Sequence, residues 1–158
     1  MVAELRKIDQ SLYETDYNLW VLETVEQLRN RDVEALDWEN LIEEVEALSR
    51  RDKKKLKSLL RLLVEHLLKL TYWENEIKNN RGHWEAEIIN FRKLIQDELT
   101  DSPSLKRYLQ EVWQECYKDG REMAAKRSSL PLSVIPETPI TTLEQALEET
   151  WFPPGAEE

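Results

Sequence analysis

Apolar side chains recur every three or four residues along most of this chain, which is the spacing of amphipathic α-helices. The densest stretch, Asp37 to Trp73, predicts two helices that meet between Ser49 and Asp52. The first has a single apolar face, so we expect it to lie at the surface. The second, capped by Asp52, is apolar on more than one side, so we expect it to be packed on several sides.

The residues that form these apolar faces can be read from the spacing. In the first helix, Glu39, Glu43 and Glu46 lie on the side away from the apolar residues. The apolar face of the first helix consists of Trp38, Leu41, Ile42, Val45 and Leu48. The apolar positions of the second, which form the predicted centre of the core, are Leu56, Leu59, Leu60, Leu63, Val64, Leu67, Leu68 and Leu70.

Four further helices are predicted from periodicity and capping residues. Their bounds are Tyr13 to Arg31 with Thr15 or Asp16 as the N-cap, Gly82 to Leu99, Asp101-Ser102-Pro103 to about Lys126, and Thr141 to about Thr150. The polar stretch Glu74 to Gly82 is expected to interrupt the helices, and Ser128 to Ile140 is expected to be extended. On the two long helices, the residues expected to be buried are Trp84, Ile88, Phe91, Ile95, Leu99, Leu105, Leu109, Val112, Cys116 and Met123.

The composition favours helices over sheets, because the chain has only three glycines and six prolines and is rich in Leu, Glu and Lys. We therefore predict an all-α fold, a single helical bundle of about five main helices plus a short C-terminal helix. The 158 residues suit one domain, with an ordered core of about residues 12–153 and mobile termini. The tryptophans at 20, 38, 73, 84, 113 and 151 are expected to anchor the core.

The chain has no sequence feature of export or membrane insertion. Its N-terminal residues carry charges every few positions, and no segment has the roughly 18 uncharged apolar residues of a membrane span. Cys116 is the only cysteine, so no intrachain disulfide can form, and its place on an apolar helix side predicts a buried, unreactive thiol. We expect a soluble protein of the cytoplasm.

The formal charge of −10 is unevenly distributed. Asp32 to Leu48 holds seven acidic residues and no basic one, and the chain after Arg127 holds six acidic residues and no basic one. Arg50 to Lys57, in contrast, holds six basic residues and one acidic residue, and we call this segment the basic run. An acidic protein with one basic octet does not favour wholesale phosphate binding.

Several phrases of the sequence carry a family resemblance. They are Tyr13-Glu14-Thr15-Asp16 with Trp20, the stretch Asp37 to Leu48, His66-Leu67-Leu68-Lys69, the Trp84 segment, Asp101-Ser102-Pro103-Ser104-Leu105, and Thr142-Leu143-Glu144-Gln145 with Phe152-Pro153. Together they resemble the family of small bacterial proteins, common in cyanobacteria, known as domain of unknown function 29. They follow the family's order over nearly the whole chain, so the resemblance is specific.

The resemblance implies a compact, mostly helical single domain. It implies no activity, because the family is named for the lack of an assigned one. At two positions the chain departs from the family's usual residue, with Ser49 in place of glycine and Gly120 in place of alanine. Neither departure changes a chemically reactive group.

The candidate catalytic residues are Glu43, Glu44, His66 and Lys69. A half-buried His66 facing carboxylates from the preceding helix, with Lys69 one turn on, would be a general base or a metal ligand. The structural alternative, which we favour, is a core histidine bonded to one carboxylate, with Lys69 in an i,i+4 ion pair with Glu65. In that case Glu43 and Glu44 satisfy buried donors such as Lys69, Arg92 or a tryptophan N–H.

A metal site, if there is one, would draw on His66 and Glu43. A di-iron site is disfavoured because Glu65 directly precedes His66, which separates the two side chains by about 100° around a helix. A mononuclear zinc or manganese site with one or two glutamates stays open, although the sequence requires no cofactor.

The basic run supplies the candidates for phosphate or nucleic-acid binding, which are Arg50, Arg51, Lys53, Lys54 and Lys57. Nucleic-acid binders usually carry a wider basic face, so we favour a solvated helix junction that balances nearby acids. The sequence has no Walker-type loop and no GxGxxG, CxxC or GxSxG motif. Standard nucleotide, flavin and serine-hydrolase chemistry therefore has no support.

Three functions remain, and a protein–protein interaction or regulatory module with a protein partner is the leading prediction. The alternative is a metal- or acid–base-dependent enzyme that acts on a phosphate-containing or nucleic-acid substrate through Glu43, Glu44, His66 and Lys69. Nucleic-acid binding through the basic run is the weakest of the three. No membrane partner is expected, and the pattern predicts no oligomeric state.

Overall fold

The computed structural model describes residues 12–154; the predicted lead-in before Leu12 and the predicted mobile end after Pro154 lie outside them. Residues 12–154 contain helices and no strand, so the all-α prediction is confirmed. The elements are α1 (Tyr17–Arg29), α2 (Trp38–Tyr72), α3 (Glu74–Asp101), α4 (Leu105–Ser128), a 3₁₀ turn (Leu132–Val134) and α5 (Leu143–Leu147), and residues 12–15 are also helical. Among the described helices, none has the length and apolar character needed to cross a membrane.

Residue contacts divide the chain into two units, residues 1–50 and residues 51–158, which we call the N-terminal and C-terminal units. The N-terminal unit contains α1 and the first turns of α2. The C-terminal unit contains the rest of α2 together with α3, α4 and α5. The single-domain organisation stays a prediction.

The N-terminal unit has a small interior built around Trp20. The Tyr13 ring meets the Trp20 ring edge-on, with 4.8 Å between the centroids, and Leu36 is also buried. The predicted helix from Tyr13 is interrupted at Asp16, whose Oδ1 accepts a hydrogen bond from the Leu19 N–H at 2.9 Å and caps α1. The large apolar side chains that this interior leaves exposed are Tyr17, Leu19, Leu22, Leu28, Val33, Trp38, Ile42, Val45 and Leu48.

The predicted junction between Ser49 and Asp52 is wrong, because α2 is continuous through those residues. The segment contains no glycine or proline, and the basic residues around it are good helix formers, so the capping preference of Asp52 does not end the helix. The predicted start is confirmed at Asp37. Its side chain accepts from the Asn40 N–H at 3.4 Å, and its carbonyl accepts from the Leu41 N–H at 3.0 Å.

The predicted break from Glu74 to Gly82 is also wrong. Trp73 is the only non-helical residue between α2 and α3, and α3 begins at once with Glu74. Ile77 is buried seven positions before Trp84, which extends the apolar side of α3 by two turns. The polar residues between them face outward on an ordinary amphipathic helix, which explains why composition alone did not reveal it.

The centre of the core of the C-terminal unit is formed by the residues that the sequence predicts. All eight predicted positions of α2 from Leu56 to Leu70 are buried, and α3 and α4 pack their apolar sides with them in one cluster. The prediction fails for Met123, which is 44% exposed, because Trp113, Tyr117 and Ala124 form the buried side of α4. That helix starts at Leu105 after Ser104, two residues later than the predicted proline start.

Two buried arginines form hydrogen bonds to backbone carbonyl groups in the C-terminal part of the chain. The Arg92 guanidinium donates to the carbonyl oxygens of Ala146 at 2.8 Å, Glu149 at 3.3 Å and Trp151 at 2.7 Å. The Arg121 guanidinium donates to the carbonyl oxygens of two residues around the 3₁₀ turn, Ile135 at 2.7 Å and Leu132 at 2.9 Å. The segment Ser128 to Ile140, predicted to be extended, thus contains a 3₁₀ turn that Arg121 holds, whereas Arg92, which the sequence suggested as a buried donor, bonds to carbonyl groups and not to Glu43 or Glu44.

The short helix α5 begins one residue later than the predicted capping box. The Thr142 hydroxyl accepts from the Gln145 N–H at 3.2 Å, and the helix ends at Leu147. Trp151 and Phe152 are half-buried after it, as predicted for the residues that pin the tail.

Candidate functional site

His66 is a half-buried residue on the core side of α2. Its Nδ1 lies 2.8 Å from the carbonyl oxygen of Leu62, one turn earlier. Because a carbonyl oxygen can only accept, Nδ1 donates this bond and Nε2 carries the unprotonated lone pair. The ring also packs against Phe91, with 5.0 Å between the centroids and 74° between the planes. The predicted carboxylate partner is therefore replaced by a backbone carbonyl.

The protonation of His66 follows from this packing. Burial disfavours the charged imidazolium, and the nearby Lys69 adds like charge, so the pKa of His66 is lowered to about 4. The hydrogen bond to Leu62 and the Glu87 carboxylate oppose this shift without reversing it. At neutral pH the imidazole is neutral, and a group with so low a pKa is a weak general base.

Lys69 is buried one turn later, in a cluster of aromatic and charged side chains. Its Nζ lies over the Trp84 ring, 5.2 Å from the centroid, and Trp84 stacks on Trp73 with 5.5 Å between centroids. Burial lowers the pKa of Lys69, and the Glu65 carboxylate opposes this effect. The spacing predicts an ion pair of Glu65 with Lys69, but Glu65 forms its ion pair with Arg127 of α4. The cluster is packed and contains both signs of charge.

The lowered pKa of His66 predicts an acid-sensitive stability. Between pH 6.5 and pH 4 the unfolded chain binds a proton at His66 that the folded chain does not bind. The contribution of His66 to the unfolding free energy is therefore fully present above pH 6.5 and is lost as the pH falls to 4. From pH 7 to pH 4.5 we expect wild type to lose about 1–2 kcal/mol more unfolding free energy than His66→Gln, because solvent screens part of the shift of a half-buried ring. Urea unfolding of both proteins at each pH measures this, and equal losses would contradict it.

Glu43 and Glu44 have partners inside the N-terminal unit. Glu43 Oε1 accepts from a terminal guanidinium nitrogen of Arg50 at 2.6 Å. The Glu44 carboxylate accepts from the hydroxyls of Tyr13 at 2.5 Å and Tyr17 at 2.7 Å. The bond to Glu44 raises the pKa of Tyr13 to about 12, because the phenol donates to a carboxylate. Glu44 thus joins α1 to α2.

The sequence analysis considered a site in which these carboxylates face His66 and Lys69. The ionisable groups that shift the pKa of His66 are Lys69, Glu87 and His83. Within residues 12–154, no three side chains of histidine, cysteine, aspartate or glutamate are grouped so that they could hold a metal ion. The catalytic and metal-binding roles of Glu43, Glu44, His66 and Lys69 stay predictions.

Acidic side chains balance much of the basic run. The pairs are Lys55 with Glu98, Lys57 with Glu115 at 2.5 Å, and Arg50 with Glu43 at 2.6 Å. Lys53 lies over the Tyr108 ring, 5.6 Å from its centroid, and Lys54 is exposed. Ion pairing of this kind fits the predicted balance of the basic run by nearby acids, although the run lies inside α2 and not at a helix junction. Phosphate binding by the run stays a prediction.

Two other features of the C-terminal unit, a buried thiol and a surface cavity, lie apart from the His66 and Lys69 cluster. The Cys116 thiol is fully buried, and burial raises its pKa to about 11, so the thiolate is scarce at neutral pH. A surface cavity of about 790 Å³ lies among the end of α3, the start of α4 and α5, with Leu99, Lys106 and Thr142 in its lining. Neither His66 nor Lys69 lines this cavity.

The feature that sequence reasoning missed is the exposure of the first apolar face of α2. Four of its residues, which we call the apolar stripe, are Trp38, Ile42, Val45 and Leu48, with exposed fractions of 50%, 53%, 58% and 56%. Trp38 is therefore not the core anchor that its residue type predicted. The spacing of the stripe was visible in the sequence, but its exposure was not.

Comparison with known proteins gives one match. The family model described as Domain of unknown function DUF29 matches residues 12–152, which confirms the resemblance noted in the sequence. No curated protein and no solved structure matches the chain.

Proposed function

Because the chain belongs to the DUF29 domain family, which supplies no activity, we propose its function from its own surface: a protein–protein interaction module. The observation that carries this proposal is the apolar stripe on α2. Folded proteins expose single apolar side chains routinely, but a continuous row of large ones commonly marks an interaction site.

The stripe has the geometry of a helix-packing face. Its members follow one another by four, three and three positions, so they lie on one side of α2 over three turns. This spacing is the one with which helices pair through apolar seams. A partner that covered the stripe would remove four large apolar side chains from water.

Trp38 has the features of an interface hot spot. Its indole Nε1 donates to the carbonyl oxygen of Val33 at 3.0 Å, so the half-exposed ring is held in place before any partner arrives. Tryptophan is enriched among residues that dominate binding energy, and a ring already fixed loses little conformational freedom on binding. Val33 is itself exposed beside it and extends the apolar surface.

The experiment compares partner capture by three versions of the full chain at native expression. The test variant combines Ile42→Gln and Val45→Gln, which keeps the charge of α2 and slightly raises its helix propensity. The control is Met123→Gln, which makes the same kind of change at an exposed apolar residue of the C-terminal unit. Both variants should unfold within about 0.5 kcal/mol of wild type, as surface substitutions usually do.

We expect wild type and Met123→Gln to capture the same proteins in quantitative mass spectrometry, and the stripe variant to lose at least one of them by about tenfold. Reconstitution of that pair from purified proteins should reproduce the loss. Capture of no protein above background, or equal capture by the stripe variant, would overturn the proposal.

A further inference from the structure

We infer that the stripe receives a basic amphipathic helix of another protein, an inference that rests on the proposed function and specifies the chemistry of the partner. Two observations on the N-terminal unit combine to support it. One is the exposed apolar stripe, and the other is the charge that surrounds it.

The negative charge of the described chain is concentrated in the N-terminal unit. Residues 12–50 contain eleven acidic and three basic residues, a formal charge of −8. Residues 51–154 contain seventeen of each, a formal charge of zero. The unit that exposes the stripe is therefore the unit that attracts a cationic partner, and the attraction acts over roughly 8–10 Å at physiological salt.

Acidic residues lie beside the stripe and not opposite it, which corrects the placement expected from the sequence. Glu39, Glu43 and Glu46 each follow a stripe residue by one position, which places them about 100° around α2, along one edge of the stripe. Arg50 offsets part of this charge through contacts of 2.6 Å to Glu43 and 3.8 Å to Glu46. These pairs are exposed and weak, so a partner's lysines and arginines can still compete for the carboxylates.

The shape of the stripe selects a helix as the bound segment. Three turns of apolar side chains in a straight row match the i, i+3, i+4, i+7 anchors of an amphipathic helix laid alongside. A partner segment of about eleven residues would cover the row, since a helix rises about 1.5 Å per residue. Its flanking positions would carry Lys or Arg to meet the acidic edge.

The same charge disfavours two other occupants. A second copy of the chain would bring one −8 unit against another, and the like charges would oppose the apolar contact. Nucleic acid and anionic lipid surfaces carry the same sign as this unit and would be repelled. A cationic protein segment is the occupant that both the stripe and its edge favour.

The test measures binding of two synthetic, end-capped 14-residue peptides to the full chain by fluorescence anisotropy. Both have leucine at i, i+3, i+4 and i+7; one fills its remaining positions with lysine and the other with glutamate. The protein variants are the stripe variant, the Met123→Gln control, and an edge variant that combines Glu39→Gln with Glu46→Gln. Sedimentation velocity of the unliganded protein reports self-association.

We expect the lysine peptide to bind wild type and Met123→Gln alike, and at least about tenfold more tightly than the glutamate peptide. The lysine peptide should bind the stripe variant about tenfold more weakly than wild type, and the edge variant about threefold to fivefold more weakly. Raising the salt concentration to 0.5 M should remove most of the edge-variant effect, because it screens exposed charges.

Three results would overturn the inference. The first is equal affinity of the lysine peptide for wild type and for the stripe variant. The second is equal affinity of the two peptides for wild type. The third is a wild-type dimer that the stripe variant abolishes. Each leaves the proposed function standing if partner capture still depends on the stripe. If capture is independent of the stripe, the proposed function fails whatever the peptides do.

Discussion

Replacing Gly120 by alanine is expected to destabilise the protein by about 2 kcal/mol, although alanine is the better helix former. A Cβ atom at Gly120 would lie 2.6 Å from Val64 Cγ1 and 2.8 Å from Val64 Cβ, and 3.1 Å from the carbonyl oxygen of Arg61. Overpacking costs about 1–3 kcal/mol, and two contacts below 3.0 Å, one of them to a Cβ atom that cannot rotate away, put Gly120 at the upper end of that range. About 2 kcal/mol then remains after subtraction of the roughly 1 kcal/mol that alanine gains in helix propensity. The missing side chain lets α4 approach α2 closely.

Gly82 provides the matched control within the same protein. It lies inside α3, and a Cβ atom there meets nothing within 4 Å. Gly82→Ala should therefore raise the unfolding free energy by about 0.5–1 kcal/mol. The two substitutions are chemically identical and should have opposite signs.

Urea unfolding of the two variants measures whether the unfolding free energy falls in Gly120→Ala and rises in Gly82→Ala. A third variant, Gly120→Ala combined with Val64→Ala, separates overpacking from other causes. Val64→Ala removes the Cγ1 contact at 2.6 Å and keeps the Cβ contact at 2.8 Å, so alanine at 120 should cost less in this background than in wild type. A stabilising Gly120→Ala, or an equal cost in both backgrounds, would contradict the close approach of α4 and α2.

Replacing Arg92 by methionine is expected to lower the unfolding free energy by about 3–4 kcal/mol and to release the segment around α5. The guanidinium is buried, and its three hydrogen bonds to carbonyl oxygens are each charge-assisted. It also lies over the Phe152 ring, with Cζ 5.3 Å from the centroid. Methionine retains the apolar packing of the side chain but leaves the carbonyl groups without this donor.

Burial lowers the pKa of Arg92 to about 10, which still leaves the guanidinium charged at neutral pH. The matched control is Lys93→Met at the next position of α3, which is exposed and should change stability by less than about 0.5 kcal/mol. Hydrogen exchange should accelerate at residues 143–152 in Arg92→Met and not in Lys93→Met. Unchanged exchange there would show that the segment is held by something else.

The core of the C-terminal unit could be predicted from the sequence because the second half of α2 is apolar on several sides. Leu59 and Leu68 lie about 180° apart around the helix, and only packing on several sides buries both. The all-α class followed from the same periodicity and from composition. These properties are local, and the structure retains them.

Helix ends were predicted less well, because capping residues mark where a helix can begin and not where it must. Asp16, Asp37 and Thr142 cap helices in the structure, whereas Asp52 lies inside α2. The turns on both sides of Asp52 are helical and free of glycine and proline, so continuing the helix costs less than nucleating a new one.

The exposure of the apolar stripe could not be predicted, because an amphipathic pattern identifies an apolar face without showing what covers it. Trp38 has the residue type of a core anchor and the spacing of a buried face. Whether such a face is buried depends on the neighbouring elements, and α1 and Leu36 fill the interior of the N-terminal unit without covering Val45 or Ile42.

The most direct test of the central claim, that the stripe is the docking surface, follows the six tryptophan indole N–H signals by NMR during a titration with the lysine peptide. Trp38→Phe assigns the signal of interest. We predict that the Trp38 signal shifts or broadens at the lowest peptide concentrations, while the signals of Trp84 and Trp113, buried in the C-terminal unit, stay unchanged. An unchanged Trp38 signal, with the largest changes at backbone amides of Lys53 to Lys57, would contradict it.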